Sequence, residues 1–289
     1  MKKERLLLEG KRKMWTVNEA TSRYYQNQVD RCLVNDKEFD EFKRRPHYNG
    51  IVGMASTWQA EIWYNNIKDN HPNVLAMMES FKKNDEVGSP SDDNMWDSGE
   101  HGLISSSTLR YLHTLCDIEK HFGSLDGKTV AEIGVGYGGL CFVMGLYFNL
   151  KEYHLVDLDN VILLARKYLS KLNFGTDISF STPFINHKIC DTVCNTKNNT
   201  EELRLYDKKE YDLVISEFCI SEMDDKGIDD YYEKYLSKSK NIYLLMNMWD
   251  EVRKERFINK VEKDFNLEML KEFPETPEWP NYLMVGKRS

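Results

Sequence analysis

The chain has 289 residues, 41% of them hydrophobic and 30% charged, which suits one large globular domain, or a domain plus a cap, with a real core to bury. Its net charge of -8 and pI near 5.5 argue against a nucleic-acid binder that works by neutralising phosphates. The basic clusters Lys2-Lys3, Lys11-Arg12-Lys13 and Lys43-Arg44-Arg45 are short and interspersed, so they read as solvated faces.

The N-terminus is basic, but its apolar run Leu6-Leu7-Leu8 is too short for a signal peptide, and no stretch approaches a membrane-spanning length. Of the cysteines only Cys190 and Cys194 are close, with no second pair beside them, which is a poor zinc pattern. Free thiols in a reducing, cytoplasmic setting and no membrane insertion are expected. Residues 1–103 read as a helical cap. Asn18–Leu33 is capped by Thr16 or Asn18, and Asp36–Arg44 is stopped by Pro46. Ser56–Asp69 turns Trp58, Ile62 and its Tyr64/Ile67 side inward, and Pro72–Lys82 does the same with Val74, Met77, Met78 and Phe81. Lys83–Gly102 is rich in Gly, Ser, Asp and Asn, and it reads as a loop of roughly 20 residues covering a site. It carries Trp96 and His101.

Ser105-Ser106-Ser107-Thr108 caps a helix over Leu109–Phe122, and the Gly123–Gly127 turn delivers the chain to KTVAEIGVGYGG, Lys128–Gly139. Here an apolar run ends at Glu132-Ile133, glycines follow, and a helix-length apolar stretch, Leu140–Leu150, comes after them. A strand, a glycine turn and a helix start is how α/β proteins open a nucleotide site, because glycine allows tight turns and the helix start offers unpaired N–H groups. Gly134, Gly136 and Gly139 fit the dinucleotide spacing G-x-G-x-x-G; Gly134, Gly136 and Gly138 fit the G-x-G-x-G loop that takes S-adenosylmethionine (SAM). Glu132 is a carboxylate at the end of an apolar strand, a position that needs a partner. SAM carries an ammonium and no pyrophosphate, so an acid there suits it better than NAD. Asp157 closes the next apolar run, about 20 residues past the glycines, where an acid can take a ribose diol.

Asn160–Leu172 is an amphipathic helix. Either Ile178–Phe180 or His187–Cys190 is the third strand, and Glu201–Asp207 is a short helix or turn. Tyr211–Ile215 is a buried strand ending at Ser216-Glu217, Ile228–Leu236 a helix, Asn241–Met246 a strand and Glu251–Asp264 a helix. Leu267–Phe273 and Tyr282–Val285 form a closing antiparallel hairpin, since no helix-length connection separates them. Strands alternating with helices predict a parallel α/β sheet.

AEIGVGYGG, YHLVDLDNV and YDLVISEFCISEM resemble the first-, second- and fourth-strand motifs of class I SAM-dependent methyltransferases. The closing hairpin resembles the antiparallel seventh strand of that fold. Within the class, the chain resembles a family of sugar O-methyltransferases from polysaccharide and glycan loci. FKRRPHYNGIV (Phe42–Val52), NDEVGSP (Asn84–Pro90), ISSSTLRYL (Ile104–Leu112), EIGVGYGGL, LVDLDNV and VISEFCISEM carry that likeness between Phe42 and Trp249. The family more often has glycine at the position of Val135 and asparagine at that of Glu217. The resemblance implies a Rossmann-like methyltransferase sheet over residues 104–289, mostly parallel with an antiparallel last strand, and an N-terminal mainly helical extension.

It also implies roles. Glu132, Gly134, Gly136, Tyr137 and Gly138 are expected to cradle the methionine half of SAM, although Tyr137 also suits plain packing on the sheet. Asp157 is expected on the ribose hydroxyls, with Leu158 beside the adenine and Arg110 on the SAM carboxylate or the acceptor. Glu217, Glu222 and His101 are the candidate general bases for a sugar hydroxyl, and Trp249 is a candidate stacking surface. No metal site is assigned, though a carboxylate at that strand end suits a divalent metal; Asp224 and Asp225 read first as helix caps. The expected partners are a sugar or glycan acceptor and no nucleic acid. An NAD-dependent oxidoreductase and a non-catalytic methyltransferase-like subunit are the alternatives.

Overall fold

The computed structural model describes residues 23–52, 55–172, 176–181, 190–195, 200–205, 210–247, 250–276 and 281–289. The chain begins with α1 (Arg23–Val34) and α2 (Asp36–Asp40), the latter started by Asn35, whose side chain accepts from the amides of Lys37 and Glu38. The caps expected at Thr16 or Asn18 lie outside the described residues. A 3-10 turn over Phe42–Arg44 leads to α3 (Pro46–Val52). Pro46 thus opens a helix as well as ending what precedes it, because the first helical position needs no N–H donor. In α4 (Thr57–Asn70) the buried stripe is Gln59, Ala60, Trp63, Tyr64 and Ile67, and Trp58 is 44% exposed, against expectation. The inward face is fixed instead by Trp63, whose indole N–H donates to the Phe273 carbonyl at 2.9 Å.

The short helices α5 (Pro72–Leu75), α6 (Met78–Phe81) and α7 (Lys83–Glu86) follow. The expected long loop is largely ordered: β1 (Met95–Asp97) and β2 (Leu103–Ser105) pair as an antiparallel hairpin. Gly99 and Gly102, both at positive φ, turn it. Asp85 ties its end down, accepting from the Ser105 amide at 2.8 Å and the Thr108 hydroxyl at 2.7 Å.

From α8 (Ser106–Phe122) the chain enters the sheet: β3 (Thr129–Ile133), α9 (Gly139–Tyr147), β4 (Glu152–Val156), α10 (Asp159–Leu169) and β5 (Ile178–Ser181). A hairpin of β6 (Cys190–Asn195) and β7 (Thr200–Leu205) is laid antiparallel on β5. The helix or turn expected at Glu201–Asp207 is therefore a strand over its described part. Extended, β-bridged pairing at the sheet edge overrides the helical leaning of its Glu and Leu residues. Then come β8 (Leu213–Glu217), α11 (Cys219–Glu222), α12 (Asp225–Lys234), β9 (Asn241–Met246), α13 (Glu251–Val261), β10 (Phe265–Lys271) and β11 (Tyr282–Arg288).

The sheet order is β10-β11-β9-β8-β3-β4-β5-β6-β7. β5, β4, β3, β8 and β9 are parallel, and β11 is antiparallel to both β9 and β10. Without the added β6–β7 hairpin, this is the Rossmann-like methyltransferase sheet with its antiparallel strand next to the edge. Because the central strands are parallel and in register, with Ile133 beside Val156 and Ser216, their carboxyl ends share one edge. One face of the sheet packs on α8, α9, α10 and the N-terminal helices in a single core; the other packs on α12 and α13. Among the described residues no helix is long and apolar enough to cross a membrane.

Candidate cofactor and acceptor site

The glycine turn lies between β3 and α9, at the carboxyl edge of the sheet. The Gly134 amide donates to the Val156 carbonyl at 2.9 Å, holding the turn against β4. Gly134, Gly136 and Gly138 have φ of +83°, +54° and +86°, conformations that side-chain-bearing residues rarely adopt. At Gly134 there is also no room: a Cβ would stand 2.3 Å from the Cβ of Cys219. Cys219 is delivered there by Phe218, a non-glycine residue at φ +68° just after β8. Such strained backbone gathers at ligand sites. Gly138 starts α9, so the first amides of that helix point back to the turn.

Two acids stand at the strand ends beside this turn. Glu132 is 5% exposed, and its Oε2 accepts from the Tyr153 hydroxyl at 2.8 Å. Burial pushes its carboxyl well above the usual range, Tyr153 pulls it back, and the carboxylates of Glu217 and Asp157 push it further up. Asp157 accepts from the Leu158 amide at 2.7 Å and the Gly136 amide at 3.3 Å. Burial lifts its pKa to about 6, opposed by the donors Leu158, Gly136 and Val135. Leu158 follows it, half-buried against the main core.

A second constellation faces the same edge from β8. Glu217 accepts from the Thr114 hydroxyl at 2.6 Å and lies 3.6 Å from the Arg110 guanidinium. Both ion-pair side chains are largely buried, Arg110 to 15% and Glu217 to 9% exposure. Glu272, just past β10, faces the same guanidinium; burial raises its carboxyl, while Asn281 and Thr276 donate to it and lower it, as does Arg110. The sequence reading missed Thr114 and Glu272, which carry no local motif. Glu222 lies on α11 and accepts from the Asn247 side chain at 3.3 Å.

The structure does not bring every expected residue to the turn. His101 sits in the β1–β2 hairpin, 3.5 Å from Glu79 and edge-on to Tyr64, with no contact to Glu132, Asp157 or Glu217. The ordered hairpin holds it there. Tyr137 is 2% exposed and packs among Phe42, Tyr111 and Tyr168, its hydroxyl accepting from Asn84 at 3.2 Å. It is a core plug behind the turn, the packing alternative. Asp224 caps α12 by accepting from the Gly227 amide at 2.7 Å, and Asp225 pairs with Arg253 and Arg256. Among the described residues no group of three or more His, Cys, Asp or Glu is placed to hold a metal ion. Trp249 lies outside the described residues.

No family model and no curated protein matches this chain. Solved structures do. An rRNA methylase from Streptococcus thermophilus is 14% identical over 62% of this chain and 98% of its own, at a TM-score of 0.41. The tRNA methyltransferase TrmK of B. subtilis is 14% identical over 61% and 65%, at 0.40. TrmK of M. capricolum, in complex with S-adenosylhomocysteine, is 14% identical over 61% and 68%, at 0.41. The acceptor expectation, a sugar or glycan and no nucleic acid, is corrected by these neighbours, which are RNA methylases. Net charge sums the whole chain and says nothing of a local phosphate-binding face.

Proposed function

We propose that this chain is a methyltransferase that binds SAM at the Gly134–Gly138 turn and passes its methyl group to an acceptor at the Arg110/Glu217 side. One observation carries the reading: a left-handed glycine turn with a carboxylate at the end of each flanking strand, Glu132 buried and Asp157 half-buried, on a sheet with a methyltransferase strand order. The residues fit the group. Gly134, Gly136 and Gly138 hold the left-handed backbone that a tight cofactor turn needs, Glu132 is an acid suited to an ammonium, and Asp157 is an acceptor suited to a ribose diol.

When bound, SAM supplies a methyl carbon on a sulfonium, which an acceptor heteroatom attacks in line. The chain's task is placement, since most of the rate of such a displacement comes from alignment. Glu132 and Asp157 hold the two ends of the cofactor. Glu217, fixed by Thr114 and Arg110, presents a carboxylate at the acceptor side, where it orients the nucleophile and takes its proton. Glu222 is the second candidate for that proton.

The dinucleotide reading has less behind it. Dinucleotide folds place their sixth strand parallel, whereas β11 here is antiparallel, and a buried Glu132 next to the turn would face a pyrophosphate with like charge. Isothermal titration with S-adenosylhomocysteine and with NADH tests this directly. Binding of S-adenosylhomocysteine, followed by transfer of labelled methyl from SAM into RNA or another fraction of a cell extract, is expected. Binding of NADH alone sinks the proposal.

A further inference from the structure

Asn84, on α7, is 0% exposed and stands outside the site described above. Its side-chain amide donates to the Thr108 hydroxyl at 2.6 Å and to the Tyr137 hydroxyl at 3.2 Å. Its side-chain oxygen accepts from the Tyr168 hydroxyl, and its main-chain carbonyl accepts from the Lys43 ammonium. One residue thus ties together the 3-10 turn of Lys43, the start of α8, the glycine turn and α10. Thr108 passes the network on by donating to Asp85 at 2.7 Å. A buried amide costs free energy unless its groups are paired, and a fully paired one specifies a single arrangement of what it ties.

Among these partners, Tyr137 is the one that belongs to the glycine turn. It stands between Gly136 and Gly138, which have φ of +54° and +86°. Its backbone is part of the turn, and its ring is wedged behind it. The ring meets Tyr168 edge-on with centroids 4.9 Å apart and Phe42 at 5.5 Å, and the Lys43 ammonium lies 4.4 Å from its centre. It also closes on the start of α9, since a Cβ on Gly139 would be 2.6 Å from its Cε2. The amide of Gly136, one residue before Tyr137, donates to Asp157 at 3.3 Å, so the backbone that the ring holds is bonded to the acid just past β4. Glycines let the turn adopt this shape, and the same freedom lets it lose the shape unless a side chain pins it.

We propose that Asn84 is a positioning residue for the cofactor turn: it fixes the Tyr137 ring from behind, and the ring fixes the Gly136–Gly138 backbone in the shape that receives the cofactor. The inference rests on the SAM reading above and deepens it. Asn84 touches no cofactor atom and acts through Tyr137. A turn held ready in this way binds its ligand without first being ordered, which raises affinity without a new contact. Tyr168 supplies the contrast, because it bonds the same side chain of Asn84 but belongs to α10 and not to the turn.

Calorimetry with S-adenosylhomocysteine on the full chain tests this, with thermal melts beside it. Tyr137→Phe and Tyr168→Phe each remove one hydrogen bond to Asn84 and keep the ring. Both are expected to lose a few degrees of melting temperature. Tyr137→Phe is expected to bind S-adenosylhomocysteine about threefold to tenfold more weakly, while Tyr168→Phe stays within about twofold of the wild type. Asn84→Ala is expected to weaken binding by a similar factor. The double variant Asn84→Ala/Tyr137→Phe should bind no more weakly than Asn84→Ala alone, because the two residues act on one path. The two tyrosine variants decide the matter even where Asn84→Ala does not fold. A Tyr137→Phe variant that binds like the wild type, or a Tyr168→Phe variant that loses as much affinity as Tyr137→Phe, overturns the positioning role and leaves the SAM reading standing. No binding to the wild type at all overturns that reading, and the positioning role with it.

Discussion

The two faces of the central sheet are built from the same strands and differ sharply in content. Along β3, Val130 and Glu132 point to the face under α8 to α10 and the N-terminal helices, while Ala131 and Ile133 point to the face under α12 and α13. The second face is mainly apolar, with Val156, Val214, Ile242, Leu244 and Met284 in its core, and its buried polar groups are uncharged side chains such as Ser216 and the His154 ring packed against Tyr211 and Tyr235. The first face also buries Glu132, Lys43 and Asn84, with the Arg110–Glu217 pair at its edge. A strand alternates its side chains, so one sequence serves a plain core and a chemical one at once. Burying charge is tolerated only where partners are present or function needs it. The face that carries it here is the one the N-terminal helices cover.

The comparison breaks most readily at the turn. Gly134→Ala places a Cβ 2.3 Å from Cys219 at φ +83°. It is expected to abolish S-adenosylhomocysteine binding, a loss beyond about 100-fold by calorimetry, and to lower the melting temperature. On the apolar face, Ile133→Ala, at a position 0% exposed, should cost about 2–5 kcal/mol in urea unfolding. The folded fraction should keep the wild-type affinity. If that variant loses affinity as strongly as a change at Asp157, the two faces are not the separate parts described here.

Asp157→Asn is expected to weaken S-adenosylhomocysteine by roughly tenfold to 100-fold, as expected when a charged hydrogen-bond partner is removed. The wild type should show a related pH effect. The acid's pKa is raised to about 6, so the ionised form that accepts from a ribose diol is lost as pH falls through about 6, and affinity should fall with it. In Asp157→Asn that pH dependence should vanish.

The charged face makes a stability prediction as well. Lys43 is 7% exposed, donates to the Asn84 carbonyl, and lies 4.4 Å from the Tyr137 ring centre. Burial lowers its pKa to about 7, against an ordinary value near 10.4. Between those values the unfolded chain binds more protons than the folded one, so stability should rise as pH is raised from about 7 towards 10. Thermal melts across that range should show the rise in the wild type and not in Lys43→Met. The smallest expected effect is that of Thr114→Val, which removes one hydrogen bond to Glu217. Methyl transfer should slow by about threefold to tenfold with the S-adenosylhomocysteine affinity unchanged.

Much of the fold was legible because its signals are local. The apolar runs of β3, β4, β8 and β9, the glycines between β3 and α9, and the acids closing two strands can each be read within a dozen residues. What misled the reading was also local. Gly, Ser and Asp between Lys83 and Gly102 suggested a loop, yet Asp85 and the β1–β2 pairing order much of it. Trp58 suggested an inward stripe, yet the partner that sets the face, Phe273, is 210 residues from Trp63.

The sequence by itself determined the α/β class, the glycine turn and the two acids beside it, since strand alternation and backbone freedom at glycine are properties of neighbouring residues. Only the tertiary structure decided that Thr114 and Arg110 hold a glutamate about a hundred positions away and that Tyr137 plugs the core. Those pairings depend on which helix faces cover which strands. Burial of whole surfaces sets that arrangement, and no short stretch of the chain encodes it.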